Sequence, residues 1–411
     1  MPTPAPPKSK NPLRHRLLPT VPPGGRSRVA LGLTAFAAHG RLALQVCRDC
    51  GAVHYPPQEA CRRCLCVRLD WRAQDGAGEL LADTVLRHSN ALYFRARLPL
   101  RLGSVRLDSG PTVIAFVHGA CPAPPARVRV RAALDRAGQA ILAALPANEV
   151  TTMADDRVLR DLTSDPDGRK ILITDGRSVV AAPLARALAA AGAELIYVGM
   201  PAPAPPAAVA ALADIPHVLV RPLDVTDTES VADLAGEIGS KVDILINTAG
   251  HHRPHGIADR RGVETARAEM EVNYFGLLRL AQTFAPALRA RAADGAVAWV
   301  NLLSIFALAN FPPHGTFSAS QAAAHSLAQC LRAELRDAGL RVVNVFPGPV
   351  EEEWNQRVEP PKLAPAALAA AIVTALRDGV EDVYPGDVAQ DWLARWRDNP
   401  KALERELADA R

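Results

Sequence analysis

No apolar run in this 411-residue chain approaches the roughly 20 residues of a helical membrane span. Nor is there a dense block of lysine and arginine. The net charge of +4 is mild for this length, so a nucleic-acid partner gets little support. The first 28 residues contain no acid and carry Lys8, Lys10, Arg14, Arg16, Arg26 and Arg28, yet they lack the apolar core of a secretory signal. Seven prolines in the first 22 positions argue against the amphipathic helix of a transit peptide, and a disordered Pro-rich tail over residues 1–27 is expected. A disulfide framework is missing as well. Of the seven cysteines, four fall in two C-x-x-C pairs, a metal pattern typical of reducing compartments, so a cytoplasmic protein is expected.

The length accommodates two or three domains, each able to bury a core. A short helix is expected over residues 29–42, and the cysteines follow: Cys47-Arg48-Asp49-Cys50-Gly51, then ten residues on, Cys61-Arg62-Arg63-Cys64. Two thiolates separated by two residues can hold one ion from a tight turn whose amides also point at the sulfurs. Gly51 suits the left-handed position such a knuckle needs, and Leu65 suits it less. The intervening ten residues should form a ribbon hairpin bending at Pro56-Pro57. Cys47, Cys50, Cys61 and Cys64 make a closed tetrahedral shell with no open position, so the metal is structural. Zinc is expected, and iron also suits four cysteines. Helix and ribbon occupy residues 28–70.

After Trp71 the texture changes to about five short strands with turn punctuation, near residues 79–86, 102–107, 112–118, 127–130 and 140–143. Strands at this spacing indicate a small closed barrel over residues 71–145, without separating barrel types. The order G-R-L-x-L-Q-x-C-x-x-C-G, Y-P-P, C-x-x-C from Gly40 to Cys64, followed by a barrel with an Asp108-Ser109-Gly110 turn, resembles a known family. These are OB-fold proteins with an N-terminal rubredoxin-like zinc ribbon that associate with acyl-CoA enzymes. The resemblance implies a small partner subunit for a thiolase-fold enzyme or an acyl-CoA hydratase. An OB barrel that binds nucleic acid needs a basic groove interleaved with aromatics. Tyr93, Phe94, Arg95 and Arg97 with the arginines near residue 129 offer little of one.

Residues 146–169 read as a linker. From Lys170 strands and helices alternate, with strands near 171–174, 194–198, 218–220, 244–247, 296–303, 341–346 and 382–384, which implies a doubly wound Rossmann-like α/β parallel sheet over residues 170–411. This half resembles the short-chain dehydrogenases/reductases. In that family a serine orients the substrate carbonyl, a tyrosine transfers the proton, and a lysine four residues later lowers the tyrosine's pKa. Ser304 matches the serine, but Phe317 stands at the tyrosine position and Gln321 at the lysine position. A phenyl ring has no proton to give, and general acid–base catalysis is worth roughly 10²–10⁴-fold. Gln321 lacks the cation that would stabilise a phenolate, worth on the order of 4 kcal/mol at an effective dielectric of about 20.

The cofactor turn departs from the family too. Its glycine positions fall on Asp175, Val179 and Ala181 in Thr174-Asp175-Gly176-Arg177-Ser178-Val179-Val180-Ala181, so a carboxylate and a branched side chain occupy the approach to a pyrophosphate. Gly176 can shift the register but cannot supply the other glycines. Asp224-Val225, Asn247-Thr248-Ala249-Gly250, Asn273 and Pro347-Gly348 match the family's adenine-side pair, fourth-strand turn, relay asparagine and sixth-strand turn. They are read as retained scaffold. His251, His252 and His255 are read as a polar loop, and Tyr274 as facing away.

Together these features predict a non-catalytic accessory subunit of an acyl-CoA-processing complex, with a thiolase- or aldolase-type partner, structural zinc and no NAD(P). The rival reading is an NAD(P)-dependent oxidoreductase acting on a 3-hydroxyacyl-CoA or 3-oxoacyl-CoA through an atypical site. Apolar stripes on the helices after the fourth and fifth strands (Met270, Phe275, Leu278, Phe284, Leu288; Ala323, Leu327, Leu331, Leu335) predict a homodimer, or a heterodimer with an active short-chain dehydrogenase.

Overall fold

In the computed structural model, residues 19–148, 151–258 and 262–409 are described, so most of the expected tail lies outside them. A single 3₁₀ turn, Arg28–Ala30, leads into α1 (Leu31–Ala37). This helix is shorter than the sequence predicts because Gly40 adopts φ +66° and turns the chain toward β1 (Ala43–Cys47). With β2 (Val53–His54) and β3 (Leu69–Ala73), β1 forms a three-stranded antiparallel sheet in the order β2-β1-β3. Gln45 pairs with His54, so the ribbon hairpin bends at the first cysteine knuckle. Pro56 and Pro57 lie beyond β2 and carry the chain to the second knuckle, which corrects the expected bend.

The barrel follows as β4 (Ala77–Leu86), α2 (Leu92–Arg95), β5 (Leu100–Leu107), β6 (Thr112–Val117), β7 (Ala126–Leu134) and β8 (Ala140–Pro146), closed in the order β4-β5-β6-β8-β7. In β6, Val113, Ala115 and Val117 are buried while Thr112 and Ile114 are exposed, the period-two signature of one face turned inward. Leu80, Val105, Val113 and Val130 fill the interior, and Leu33, Leu42 and Leu44 from the helix and ribbon join the same apolar cluster. Ribbon and barrel therefore share one core.

The third part runs β9 (Lys170–Ile173), α3 (Ala181–Ala190), β10 (Leu195–Met200), α4 (Pro206–Ala213), β11 (Val218–Pro222), α5 (Thr228–Ile238), β12 (Ile244–Asn247), α6 (Glu264–Met270), α7 (Leu277–Ala290), β13 (Ala298–Leu302), α8 (Gly315–Arg336), β14 (Arg341–Val345), α9 (Pro365–Asp378), β15 (Asp382–Val383), α10 (Asp387–Asp398) and α11 (Pro400–Ala408). The seven expected strands form a parallel sheet in the order β11-β10-β9-β12-β13-β14-β15. The strand order reverses between β9 and β12, and crevices beyond strand ends at such a switch point bind ligands. Separate apolar clusters cover the two faces, one with Leu184, Leu188 and Ile372, the other with Leu234, Phe284 and Leu331. Between α6 and α7 the residues Glu271–Gly276 wind as a π-helix, a distortion frequent at functional sites.

Much of the expected interface stripe is core. Phe284, Leu288, Leu331 and Leu335 are buried against the sheet, leaving Phe275 exposed and Leu278 and Leu327 half-buried on the outer surface.

The segment between barrel and sheet is packed. Met153, Leu159 and Leu162 cluster with Ala133, Ile141 and Leu145 of the barrel. Two arginines cross the seam in opposite directions. Arg136, in the β7–β8 turn, donates to the carbonyls of Gly339 (3.2 Å) and Ala296 (3.1 Å). Arg341, at the start of β14, donates back to those of Leu134 and Leu162, each at 3.0 Å.

Candidate functional site

The four cysteine Sγ atoms of Cys47, Cys50, Cys61 and Cys64 lie within 4.8 Å of one another. Cys47–Cys64 and Cys50–Cys61 are each 3.5 Å apart, close to the ~3.8 Å that zinc–sulfur bonds of about 2.3 Å impose in a tetrahedron. The two knuckles are built alike. Gly51 N–H donates to Cys47 O at 3.0 Å and Leu65 N–H to Cys61 O at 2.9 Å, with φ +70° at Gly51 and +62° at Leu65. Leu65 thus takes the left-handed conformation without being glycine, its side chain exposed. Arg63 N–H points at Cys61 Sγ (3.3 Å), and buried His54 Nε2 lies 3.2 Å from the same sulfur. These contacts favour a thiolate, so the donor set fits a zinc ion whose role is to hold the ribbon together.

The second site is a cleft of about 410 Å³ beyond the C-terminal ends of the parallel strands, which Asp175, Gly250, Ser304, Phe317 and Gln321 all line. Thr174 is a buried node beneath it. Its hydroxyl donates to Asn247 Oδ1 (2.8 Å) and accepts from the N–H groups of Thr248 (3.1 Å) and Ala249 (3.3 Å). Gly176 serves packing, since a Cβ there would meet Met200 Cε at 2.5 Å and Val198 Cγ1 at 2.9 Å. Asp175 is gripped by Arg177 through its Nε and Nη2, at 3.0 and 2.9 Å, so the carboxylate read from the sequence as a bare negative charge is an ion pair. Val179 is exposed on the turn into α3, and a Cβ on Gly250 would meet open space. Asp224 and Val225 lie outside the cleft lining. Asp224 accepts from Thr226 N–H and Oγ1–H, which holds its carboxyl below the usual range. Asn273 ties the cleft wall together, accepting from His251 N–H (2.8 Å) and donating to Ser320 Oγ (2.8 Å).

At the reactive positions, Ser304 Oγ accepts from Phe306 N–H (3.2 Å). Phe317 lies under the imidazole of His252, ring centroids 3.8 Å apart and 20° from parallel. Gln321 is buried, and its Oε1 has no hydrogen-bond partner among the described residues. Sequence reasoning placed the histidines in a polar loop, whereas here His252 is buried within a chain of contacts. Its Nδ1 lies 3.6 Å from Glu352 Oε1, and its Nε2 hydrogen-bonds to Nδ1 of His314. Burial first, then His252 and His255, push His314 down to about 4, so it is neutral in the fold. Arg253, its guanidinium 3.7 Å from the centre of the Trp354 ring, completes one wall. None of these pairings has a local signal, because His314 and Glu352 lie 62 and 100 residues beyond His252 along the chain.

Residues 169–362 match the short chain dehydrogenase family, residues 34–65 the ChsH2 rubredoxin-like zinc ribbon domain, and residues 71–134 the ChsH2 C-terminal OB-fold domain. The chain is 34% identical over 203 residues to galactitol 2-dehydrogenase (L-tagatose-forming) of Cereibacter sphaeroides, covering 48% of this chain and 78% of that protein. It is 31% identical over 188 residues to dehydrogenase/reductase SDR family member 7B of Rattus norvegicus, where the match covers 43% of this chain but only 57% of the relative. Among solved structures, a short chain dehydrogenase from Burkholderia cenocepacia J2315 in complex with NADP superposes with TM-score 0.54 at 35% identity, covering 59% of this chain and 98% of that one. The chain belongs to the short chain dehydrogenase family through its parallel-sheet half, joined to a ChsH2-type zinc ribbon and OB-fold barrel. Among the described residues no helix is long and apolar enough to cross a membrane.

Proposed function

We infer that this protein is an accessory subunit of an acyl-CoA-processing assembly, with a thiolase- or aldolase-type enzyme as its partner, and that its dehydrogenase-like half does not transfer hydride by itself. The observation that carries the reading is Phe317. At the position of the family's proton donor stands a phenyl ring, stacked on His252 and buried, with the neutral amide of Gln321 where a cation would stabilise a phenolate. The Asp175–Arg177 pair and Val179 on the first turn support it, since a pyrophosphate there would face a carboxylate and a branched side chain. The zinc is structural in this reading, and the ribbon and barrel dock the partner. Phe275, exposed, with Leu278 half-buried three residues on, supports pairing through α7 and α8, with a second copy or with an active short-chain dehydrogenase. Titration of the purified protein with NAD(H) and NADP(H), followed by nucleotide fluorescence, should show no saturable binding up to millimolar concentration. Micromolar affinity for either dinucleotide overturns the reading.

One observation favours the rival reading, an NAD(P)-dependent oxidoreductase acting on a 3-hydroxyacyl-CoA or 3-oxoacyl-CoA. The Glu352–His252–His314 chain gives the cleft titratable groups beside the position of the missing phenol. Dinucleotide-dependent turnover that is lost in His252→Asn would decide for it.

A further inference from the structure

A cavity of about 260 Å³ lies in the seam between barrel and parallel sheet, remote from both sites above. Four arginines line it: Arg136 from the β7–β8 turn, Arg332 and Arg336 from α8, and Arg341 from the start of β14. Arg341 is 7% exposed. Its Nη2 bridges the seam to two carbonyls, while its Nε and Nη1 are buried with no hydrogen-bond partner among the described residues. Buried donors on a full positive charge are costly to leave unpaired, so this guanidinium is built for a counter-ion.

The acids on the cavity wall, Asp135 and Glu381, do not supply it. Asp135 Oδ1 accepts the N–H groups of Ala137 (2.8 Å) and Gln139 (3.0 Å). Glu381 lies 3.7 Å from Arg332, which pairs more closely with Asp382 at 2.7 Å. Among the described residues no carboxylate comes within ion-pair distance of Arg136 or Arg341, whose polar contacts are carbonyls. Burial also raises the pKa of both Asp135 and Glu381, which weakens their opposition to an incoming anion.

We propose that this seam cavity binds a small oxyanion of the phosphate class, with Arg341 as its buried anchor and Arg136, Arg332 and Arg336 around it. Planar guanidinium forks match tetrahedral oxyanions. The site is composite. Arg136 belongs to the barrel and the other three to the sheet half, so a dehydrogenase domain without the barrel has only part of it.

The test uses the full zinc-loaded chain and inorganic phosphate, against sodium chloride at equal ionic strength. Calorimetric titration should give one saturable site. Thermal unfolding in phosphate at about ten times its Kd should shift upward by roughly 2–4 °C relative to chloride. Arg336→Gln, at a mostly exposed side chain, should weaken binding about 10-fold through loss of one charged hydrogen bond. Ala333→Glu, an exposed position on the cavity wall, should abolish it by adding a like charge. Arg341→Gln removes seam contacts as well as the anchor, so the two exposed variants carry the test. Equal stabilisation by phosphate and chloride, or undiminished phosphate affinity in Ala333→Glu, overturns the proposal.

Discussion

The ribbon and the cleft are both sites whose framework was legible in the residues, and they differ in the groups they present. In the ribbon all four ligands are present, both knuckles close with the same backbone bond, and even Leu65 bends into a left-handed conformation to complete the second. In the cleft the framework is equally well built: Thr174, Asn247 and Asn273 are buried and hydrogen-bonded. The groups facing the open space are another matter. A phenyl ring, a neutral amide and a locked ion pair line a cleft that keeps its shape. Scaffold and reactivity are therefore separable. Buried hydrogen bonds that hold strand ends together are costly to lose whatever the reaction, whereas a proton donor matters only if the reaction runs.

The largest effect expected is at the ribbon. Cys47→Ser should drop zinc content from one equivalent per chain to near zero and unfold the ribbon, since metal binding in such a site is worth on the order of 10 kcal/mol of folding free energy. Metal analysis with circular dichroism checks this, and an unchanged metal content would break the contrast at its stronger end. Because α1 and the ribbon share apolar packing with the barrel, some barrel destabilisation should accompany it.

Next comes the cleft's framework. Thr174→Val keeps shape but strands the N–H of Thr248, while that of Ala249 keeps its bond to Asn247 Oδ1, and should cost about 1–3 kcal/mol in denaturant unfolding. A neutral result would mean the cleft is not held as described. Smaller still is the effect of installing the family's residues in the cleft. Phe317→Tyr with Gln321→Lys should leave dinucleotide affinity unchanged, while adding Asp175→Gly and Val179→Gly should raise it about 10-fold or more by reopening the turn to a pyrophosphate. Gain of binding from the first pair alone would place the obstacle at the reactive residues instead.

The smallest effect is a pH dependence. His314 sits at about 4 in the fold against an ordinary 6.5, so the unfolded chain binds its proton more readily. Its contribution to stability is therefore present above pH 6.5 and is lost as the pH falls toward 4. The buried carboxyls of Asp135 and Glu381, raised by burial, act in the opposite sense. Comparing wild type with His314→Phe isolates the histidine: the denaturation midpoint of wild type should fall relative to the variant's as the pH drops from 7 to 4.5. A difference that stays constant would show that His314 binds its proton equally well in the folded and unfolded chain.

The cysteine spacing, the strand periodicities and the Ser304–Gln321 stretch were enough to read three architectural units from the residues alone. What escaped such reading joins distant positions. Arg177 beside Asp175 was visible but its grip was not, because two adjacent charges can equally face solvent. Burial of Leu331 and Leu335 depends on how closely α8 lies on the sheet, which helical spacing does not report. Arg136 and Arg341 looked like ordinary charged residues. Their burial follows from two domains meeting, and no single-domain pattern encodes that.

The exchange of arginines across the seam makes the molecule a ruler. Each half inserts one guanidinium into the other's carbonyl groups, so barrel and sheet are pinned at two points that resist rotation as well as separation. A protein captured at the ribbon end would be held at a set distance and bearing from whatever occupies the cleft. Span and angle between the ribbon end and the cleft are thus set by the seam itself.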